Sequence, residues 1–174
     1  MDLREKVSEA MSGLEKLAAS LPGYQGYKEK EIRRQADKLL REQLARRFEE
    51  QRRRVSALQE QLVSSGRIEL TDDLERAVMK LQRVIDRLKT ASYGYAGFFD
   101  AVKVKEDQLD ALYAFDNALL DKVAELTAAV DKVATALSGE KGASDPIQTI
   151  SALAATAQSI NDTLDRREEA ILQA

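Results

Sequence analysis

The sequence predicts an all-α protein, an elongated antiparallel helical bundle of coiled-coil-like character with about five helices. Its composition, the spacing of its apolar residues and the placement of its glycines and prolines all support this prediction. Ala, Leu, Glu, Lys and Arg make up about half of the 174 residues, which is typical of long helices and coiled coils. No stretch alternates apolar and polar residues for long enough to predict a strand.

Glycine and proline mark the ends of the predicted helices, since seven of the eight glycines lie where the apolar pattern breaks. Pro22 closes the first helix, and Asp145 caps the last helix with Pro146 at its first position. Asp72 with Glu75 forms the predicted cap of the third helix. These boundaries predict helices over 2–21, 28–65, 72–91, 101–138 and 145–173, of which the second and fourth are each about 38 residues long.

The apolar residues recur at alternating steps of three and four, the spacing of helices that pack knobs-into-holes. In the third helix these positions are Leu74, Val78, Leu81, Ile85 and Leu88. In the fourth they run from Leu109 to Leu137, and in the fifth from Ile150 to Leu164. The second helix has a looser series over Leu44, Phe48, Gln51, Val55, Leu58 and Leu62. In the fifth, we expect close helix approach at Ala152, Ala154 and Ala155.

Helix length predicts an elongated shape. At 1.5 Å per residue the helix over 28–65 spans about 57 Å, whereas a compact globule of this chain length has a radius of gyration of about 16 Å. The helices over 2–21 and 72–91 are each about half as long. They either lie end to end along the long helix or belong to a nested set of hairpins.

We interpret residues 1–174 as a single domain, with a possible internal duplication. Gly23-Tyr24-Gln25-Gly26-Tyr27 resembles Gly94-Tyr95-Ala96-Gly97-Phe98, and each segment lies between a short and a long predicted helix. A duplication of 2–65 and 72–138, followed by the helix over 145–173, explains this likeness. Chance convergence of two helix–helix turns is the alternative.

The absence of cysteine and histidine excludes several kinds of site. Disulfides, iron–sulfur clusters, thiolate zinc sites and Ser-His-Asp triads all need one or both residues. The adjacent Asp72 and Asp73 lie at a predicted helix start, where carboxylates cap the helix and offset its dipole, so they do not predict a metal site. The sequence therefore predicts no cofactor, no metal, no catalytic residue and no small-molecule substrate.

Six of the nine aromatic residues lie in two short segments around the glycine turns. Aromatic side chains beside glycines form docking surfaces for other proteins or enter a membrane interface. The alternative is that their rings cap the ends of the bundle core. The candidate interaction surface consists of Tyr24, Tyr27, Tyr93, Tyr95, Phe98 and Phe99.

The stretch 28–54 is basic, with 11 Lys or Arg against 6 Asp or Glu. Such a helix binds anionic lipid or nucleic acid, yet five acid–base pairs four residues apart are typical of a solvated, self-supporting helix. The acidic pI of about 5.3 disfavours nucleic acid. Because the second half of the chain is acidic, we expect this helix to pack beside the last two helices. The candidate basic surface consists of Arg46, Arg47, Arg52, Arg53 and Arg54.

Asp116 interrupts the apolar positions of the fourth helix. A polar residue there selects the register or the partner of a helix, and a buried carboxylate needs a partner such as Arg167 or an arginine of the second helix. The alternative is a helix rotated so that Asp116 reaches water.

These observations favour a non-enzymatic structural or interaction protein, a scaffold or adaptor that binds a protein partner or associates with itself, for example as a homodimer. The alternative is a peripheral membrane protein that uses the basic helix and the aromatic turns. A second alternative, less favoured, is an enzyme without histidine or cysteine. No signal peptide or spanning segment is visible in the sequence, so we expect a cytoplasmic location.

Overall fold

The structure, a computed structural model, describes residues 25–91, 106–139 and 142–172. Within these ranges the chain forms helices joined by turns, with no strand, which confirms the all-α prediction. The predicted helix over 2–21 and the first residues of the one over 101–138 lie outside the described residues. The elements in chain order are α1 (Gln25–Ser64), a 3₁₀ turn (Ile68–Leu70), α2 (Thr71–Thr90), α3 (Glu106–Ser138) and α4 (Pro146–Leu172).

The four helices form a bundle of two hairpins. α1 packs along α2, α3 packs along α4, and the hairpins join where α2 meets α4 and α1 meets α3. Arg41, in the first half of α1, donates to the carbonyl of Leu88 near the end of α2 at 3.3 Å, so these two helices are antiparallel. The seven-residue connection 139–145 makes α3 and α4 antiparallel as well.

The hairpins associate in parallel. The Asn161 amide of α4 donates to the carbonyl of Lys80 in α2 at 3.1 Å, and further along both helices Arg87 contacts Glu168 at 3.0 Å. Because α2 and α4 therefore run the same way, both short connections lie at the same end of the bundle. We call residues 60–76, 138–139 and 142–148 the loop end.

The heptad pattern predicts the core correctly. Most of the predicted positions whose side chains are described are buried, while Val78 and Leu58 are partly buried against the core. Burying such side chains contributes about 1.5–3 kcal/mol each relative to leaving them exposed. α2 buries two further residues beside its predicted stripe, Ala77 and Val84.

The cap of α2 differs from the prediction. Asp72 and Glu75 were expected to cap this helix, but it begins at Thr71, with Leu70 at the N-cap and no side-chain cap. The preceding 3₁₀ turn carries the chain directly into the helix, and the Thr71 hydroxyl donates to the Ile68 carbonyl at 2.7 Å. The predicted cap of α4 is confirmed, since the Ile147 amide donates to the Asp145 carboxylate at 3.1 Å.

The end of α1 requires a glycine. Gly66 has a φ of +76°, and its amide donates to the Val63 carbonyl at 3.1 Å while the Arg67 amide donates to the Leu62 carbonyl at 3.0 Å. This pair of bonds is the Schellman motif, in which the residue after the helix is left-handed. The glycine break predicted here is confirmed.

Two local predictions are wrong. Gln25, Gly26 and Tyr27 were expected in a turn before the second helix, whereas α1 already begins at Gln25, because the intrinsic cost of one helical glycine is only about 1 kcal/mol. Ala152 and Ala155 were expected between closely packed helices but are exposed. Ala154, the third alanine of that prediction, is partly buried against the core, and Ala157 is buried at its predicted heptad position.

Candidate functional site

The aromatic turns fall almost entirely outside the described residues. This applies to Tyr24, Tyr93, Tyr95, Phe98 and Phe99. Tyr27 lies in the first turn of α1, and its side chain is also outside the description. The predicted aromatic interaction surface therefore stays a prediction.

The five arginines of the candidate basic surface occupy different environments on α1. Arg46 and Arg47 are exposed, and Arg52 is partly buried. Arg53 is exposed and pairs with Glu49 at 3.5 Å, as the four-residue spacing predicts. Arg54 faces a neighbouring helix instead of extending the basic surface.

Arg54 joins α1 to α3. Its guanidinium pairs with the carboxylate of Asp131 in α3 and donates to Gln51 Oε1 at 2.9 Å. Glu50 and Arg54, one of the five acid–base pairs that the four-residue spacing predicts, therefore do not pair. The expectation that the basic helix packs beside the acidic half of the chain is thus confirmed for α3. For α4 it is not, because α4 packs mainly against α2 and α3.

Polar side chains of α1 and α4 reach into the core at the level of the last turns of α2. Arg41 is 5% exposed and Arg167 is 2% exposed. Arg41 precedes Leu44 by three residues and Arg167 follows Leu164 by three, so each occupies the next heptad position beyond the predicted apolar series. Extending each apolar series by one heptad step would have identified both arginines as buried residues.

Asn161 is a buried amide between α4 and α2. It is 5% exposed, and its Nδ2 donates to the Ala157 carbonyl at 3.0 Å and to the Lys80 carbonyl at 3.1 Å. Asn161 thus ties its own helix to α2. Asp116, the other polar residue considered for the core, lies in α3, and its side chain is outside the described residues.

Arg87 is the main charged contact between the hairpins. Its side chain is 16% exposed and lies 2.7 Å from Asp165 and 3.0 Å from Glu168, and it donates to the Asn161 carbonyl at 3.4 Å. Burial by itself lowers the pKa of Arg87, but the hydrogen bonds and charges of Glu168 and Asp165 outweigh it and raise that pKa. Arg87 therefore stays charged while it holds α2 to α4.

Glu49 and Lys89 form a second charged contact, between α1 and α2, with Lys89 Nζ 3.3 Å from Glu49 Oε2. The hydrogen bond from Lys89 and then its charge lower the pKa of Glu49 below its ordinary value, and Arg53 contributes less. This pair supports the first hairpin in its ionised form.

Exposed aliphatic side chains are concentrated at the loop end. Of the five large apolar residues that are exposed on the described surface, Val63 (56%), Ile68 (65%) and Ile147 (60%) lie there. Of the other two, Leu39 lies on α1 away from that end, and Met79 lies on α2 one helical turn beyond Glu75. Sequence reasoning missed this group because each member falls outside a heptad series and none is aromatic.

The described residues offer no group of three or more His, Cys, Asp or Glu placed to hold a metal ion. Asp72 and Asp73 lie in the first turn of α2, where they offset the helix dipole, and Asp73 pairs with Arg76. Among the helices in the described ranges, none has an apolar stretch long enough to cross a membrane.

Comparisons of the chain with protein-family models, with curated proteins and with solved structures give no match. The arguments for function therefore come from the chain's own surface.

We predict that Arg87→Ala lowers the free energy of unfolding by about 1–3 kcal/mol, because it leaves two carboxylates of α4 without their shared cation. Urea unfolding followed by circular dichroism measures this. Arg83→Ala, on the exposed face of the same helix, is the matched control and should change stability by less than about 0.5 kcal/mol. Equal effects of the two substitutions would contradict the role assigned to Arg87.

We predict that Glu49→Gln destabilises the protein near neutral pH but not in acid. The pKa of Glu49 is lower in the folded chain, so its contribution is complete above the unfolded value of about 4.3 and is lost as the pH falls through the folded value. Urea midpoints at about pH 7 and about pH 3 test this, with Glu50→Gln, an exposed neighbour, as control. A loss of the same size at both pH values would rule out the ionic contribution.

Proposed function

We propose that this protein is a non-enzymatic helical-bundle scaffold or adaptor that acts through protein–protein contacts. The observation that carries the proposal is the grouping of exposed aliphatic side chains at the loop end, at Val63, Ile68 and Ile147. Single exposed aliphatic residues are common on monomers, whereas an exposed apolar cluster ringed by polar residues is typical of an interaction site.

The use of the interior polar groups supports the same proposal. Arg41 and Asn161 donate to backbone carbonyls of α2, and Arg87 pairs with two carboxylates of α4. These groups hold helices together. The surface left for a partner lies at the loop end rather than in the core.

We also propose the complete architecture as an elongated, coiled-coil-like bundle with a fifth helix over residues 2–21. Arg41 contacts the Leu88 carbonyl near the end of α2, yet α1 begins at Gln25. About 24 Å of α1 therefore precedes that contact at 1.5 Å per residue. A helix of 20 residues that turned back at Pro22 would be about 30 Å long, enough to cover this stretch of α1 and to reach the end of α2.

Leu14→Asp tests the fifth helix. In residues 2–21 the apolar residues also recur at alternating steps of four and three, at Leu3, Val7, Ala10, Leu14, Leu17 and Leu21, so this substitution places a charge at a predicted heptad position. We expect a loss of about 2–4 kcal/mol in the free energy of unfolding, measured by urea denaturation. Glu15→Asp, at the neighbouring and predicted solvent-facing position, should change stability by less than about 0.5 kcal/mol. If Leu14→Asp is equally harmless, residues 2–21 do not pack on the bundle.

Site-specific photo-crosslinking tests the proposed function. The photoreactive residue p-benzoylphenylalanine replaces Ile68 in one form of the full chain and Leu39 in another, and each is irradiated in the lysate of its native cell. We expect a discrete protein adduct, identified by mass spectrometry, from position 68 and none from position 39, which is similarly exposed but lies outside the loop end. Light scattering of the pure protein over a concentration series records any self-association in parallel.

A strict monomer that gives no protein adduct at position 68 would contradict an interaction role at this end.

The membrane alternative stays a prediction. If it is correct, the protein binds anionic vesicles, salt abolishes this binding, and the double substitution Arg46→Gln with Arg47→Gln weakens it. Equal sedimentation with neutral and with anionic vesicles would exclude this alternative.

A further inference from the structure

The loop end combines its aliphatic side chains with a strong negative charge. Its described residues include six acidic and two basic side chains. One of the basic residues, Arg76, is already paired with Asp73. The acidic side chains that are exposed are Glu60, Glu69, Asp72, Glu75 and Asp145.

The helix termini do not change the sign of this surface. α2 and α4 begin at the loop end while α1 and α3 end there, so two positive dipole ends are offset by two negative ones. The side-chain carboxylates therefore set the potential that a partner meets around Val63, Ile68 and Ile147.

The negative charge of the loop end disfavours two kinds of partner, a second copy of this end and an anionic membrane. The loop ends of two copies facing each other would bring like charges together, and an anionic membrane would be repelled in the same way. An apolar segment with flanking lysines or arginines gains from both features, since its aliphatic side chains cover the three exposed ones and its cations meet the carboxylates.

We propose that the loop end is a docking surface for a basic, amphipathic helical segment of a different protein. Apolar residues of that segment contact Val63, Ile68 and Ile147, and its basic residues lie beside Glu69, Asp72 and Glu75. This inference rests on the proposed interaction role and adds to it the location of the contact and the chemistry of the partner.

Three synthetic peptides of about 18 residues, long enough for about five helical turns, test the chemistry. The first has the amphipathic pattern of Leu and Lys, the second has Glu in place of Lys, and the third has Ser in place of Leu. Titration into the full chain, followed by fluorescence anisotropy, should show binding of the Leu/Lys peptide at least about tenfold tighter than of either other peptide. Raising the salt from about 20 mM to about 500 mM should weaken it at least about tenfold.

A variant of the three exposed aliphatic residues, with a control elsewhere, tests the apolar part of the site. Val63→Ser with Ile68→Ser and Ile147→Ser should weaken binding of the Leu/Lys peptide about tenfold or more. The control with the same chemistry elsewhere, Leu39→Ser, should leave it unchanged. An unchanged control shows that a general loss of surface apolarity does not cause the weaker binding.

The charge requirement has its own pair of variants. Glu69→Gln with Asp72→Asn and Glu75→Gln should weaken peptide binding and reduce its salt dependence. Glu50→Gln with Asp162→Asn and Glu169→Gln removes the same charge from exposed positions outside the loop end and should have little effect. Thermal unfolding of each variant checks that the bundle is intact.

Equal binding by loop-end and control variants, or equal binding of the Lys and Glu peptides, overturns this proposal. So does concentration-dependent self-association that the loop-end variants abolish, because the surface would then belong to a second copy. An adduct at position 68 together with failed peptide binding rejects the basic partner and leaves the interaction role standing. Loss of both rejects the interaction role as well.

Discussion

The contact between α2 and α4 is the constraint on which the arrangement of this bundle depends. Each hairpin is held by its own short connection, whereas packing between helices of different hairpins determines how the two hairpins are placed against each other. Along α2 and α4 that packing includes Arg87 with Asp165 and Glu168, and Asn161 with the Lys80 carbonyl. Because these contacts are directional, sliding one hairpin along the other would leave buried polar groups unpaired, at a cost of about 1–3 kcal/mol for each group.

The parallel association of the hairpins determines which surfaces meet. It brings residues 65–70 and the described residues 139 and 142–145 to one end, so residues that are far apart in sequence, such as Ile68 and Ile147, share the loop end. An antiparallel association would place these two connections at opposite ends, with the aliphatic side chains divided between them. The candidate docking surface is therefore a consequence of the α2–α4 register.

Sequence reasoning predicted the helices and the core well because both depend on local periodicity. Leu119, Leu126 and Val133 are buried where the three–four spacing places them, and Asp145 caps its helix as its position before Pro146 predicts. The predicted cap of α2 was wrong because it depends on the neighbouring element: a 3₁₀ turn leads directly into the helix at Thr71, and no side chain caps it. The loop-end surface depends on how hairpins associate, which no periodicity within a single helix encodes.

The buried polar residues make the bundle more specific at some expense of stability. Within the described residues Asn161 Oδ1 is buried and accepts no hydrogen bond, so an apolar residue of similar shape would be expected to cost nothing or to stabilise the core. The bond that Asn161 donates to the Lys80 carbonyl reaches across to α2 and is made only in the observed register, whereas its bond to the Ala157 carbonyl lies within α4. A core of leucine and alanine alone tolerates shifted registers. The proposed contact surface forms only when two connections meet at one end, so a polar contact that favours this register also favours the geometry of that surface.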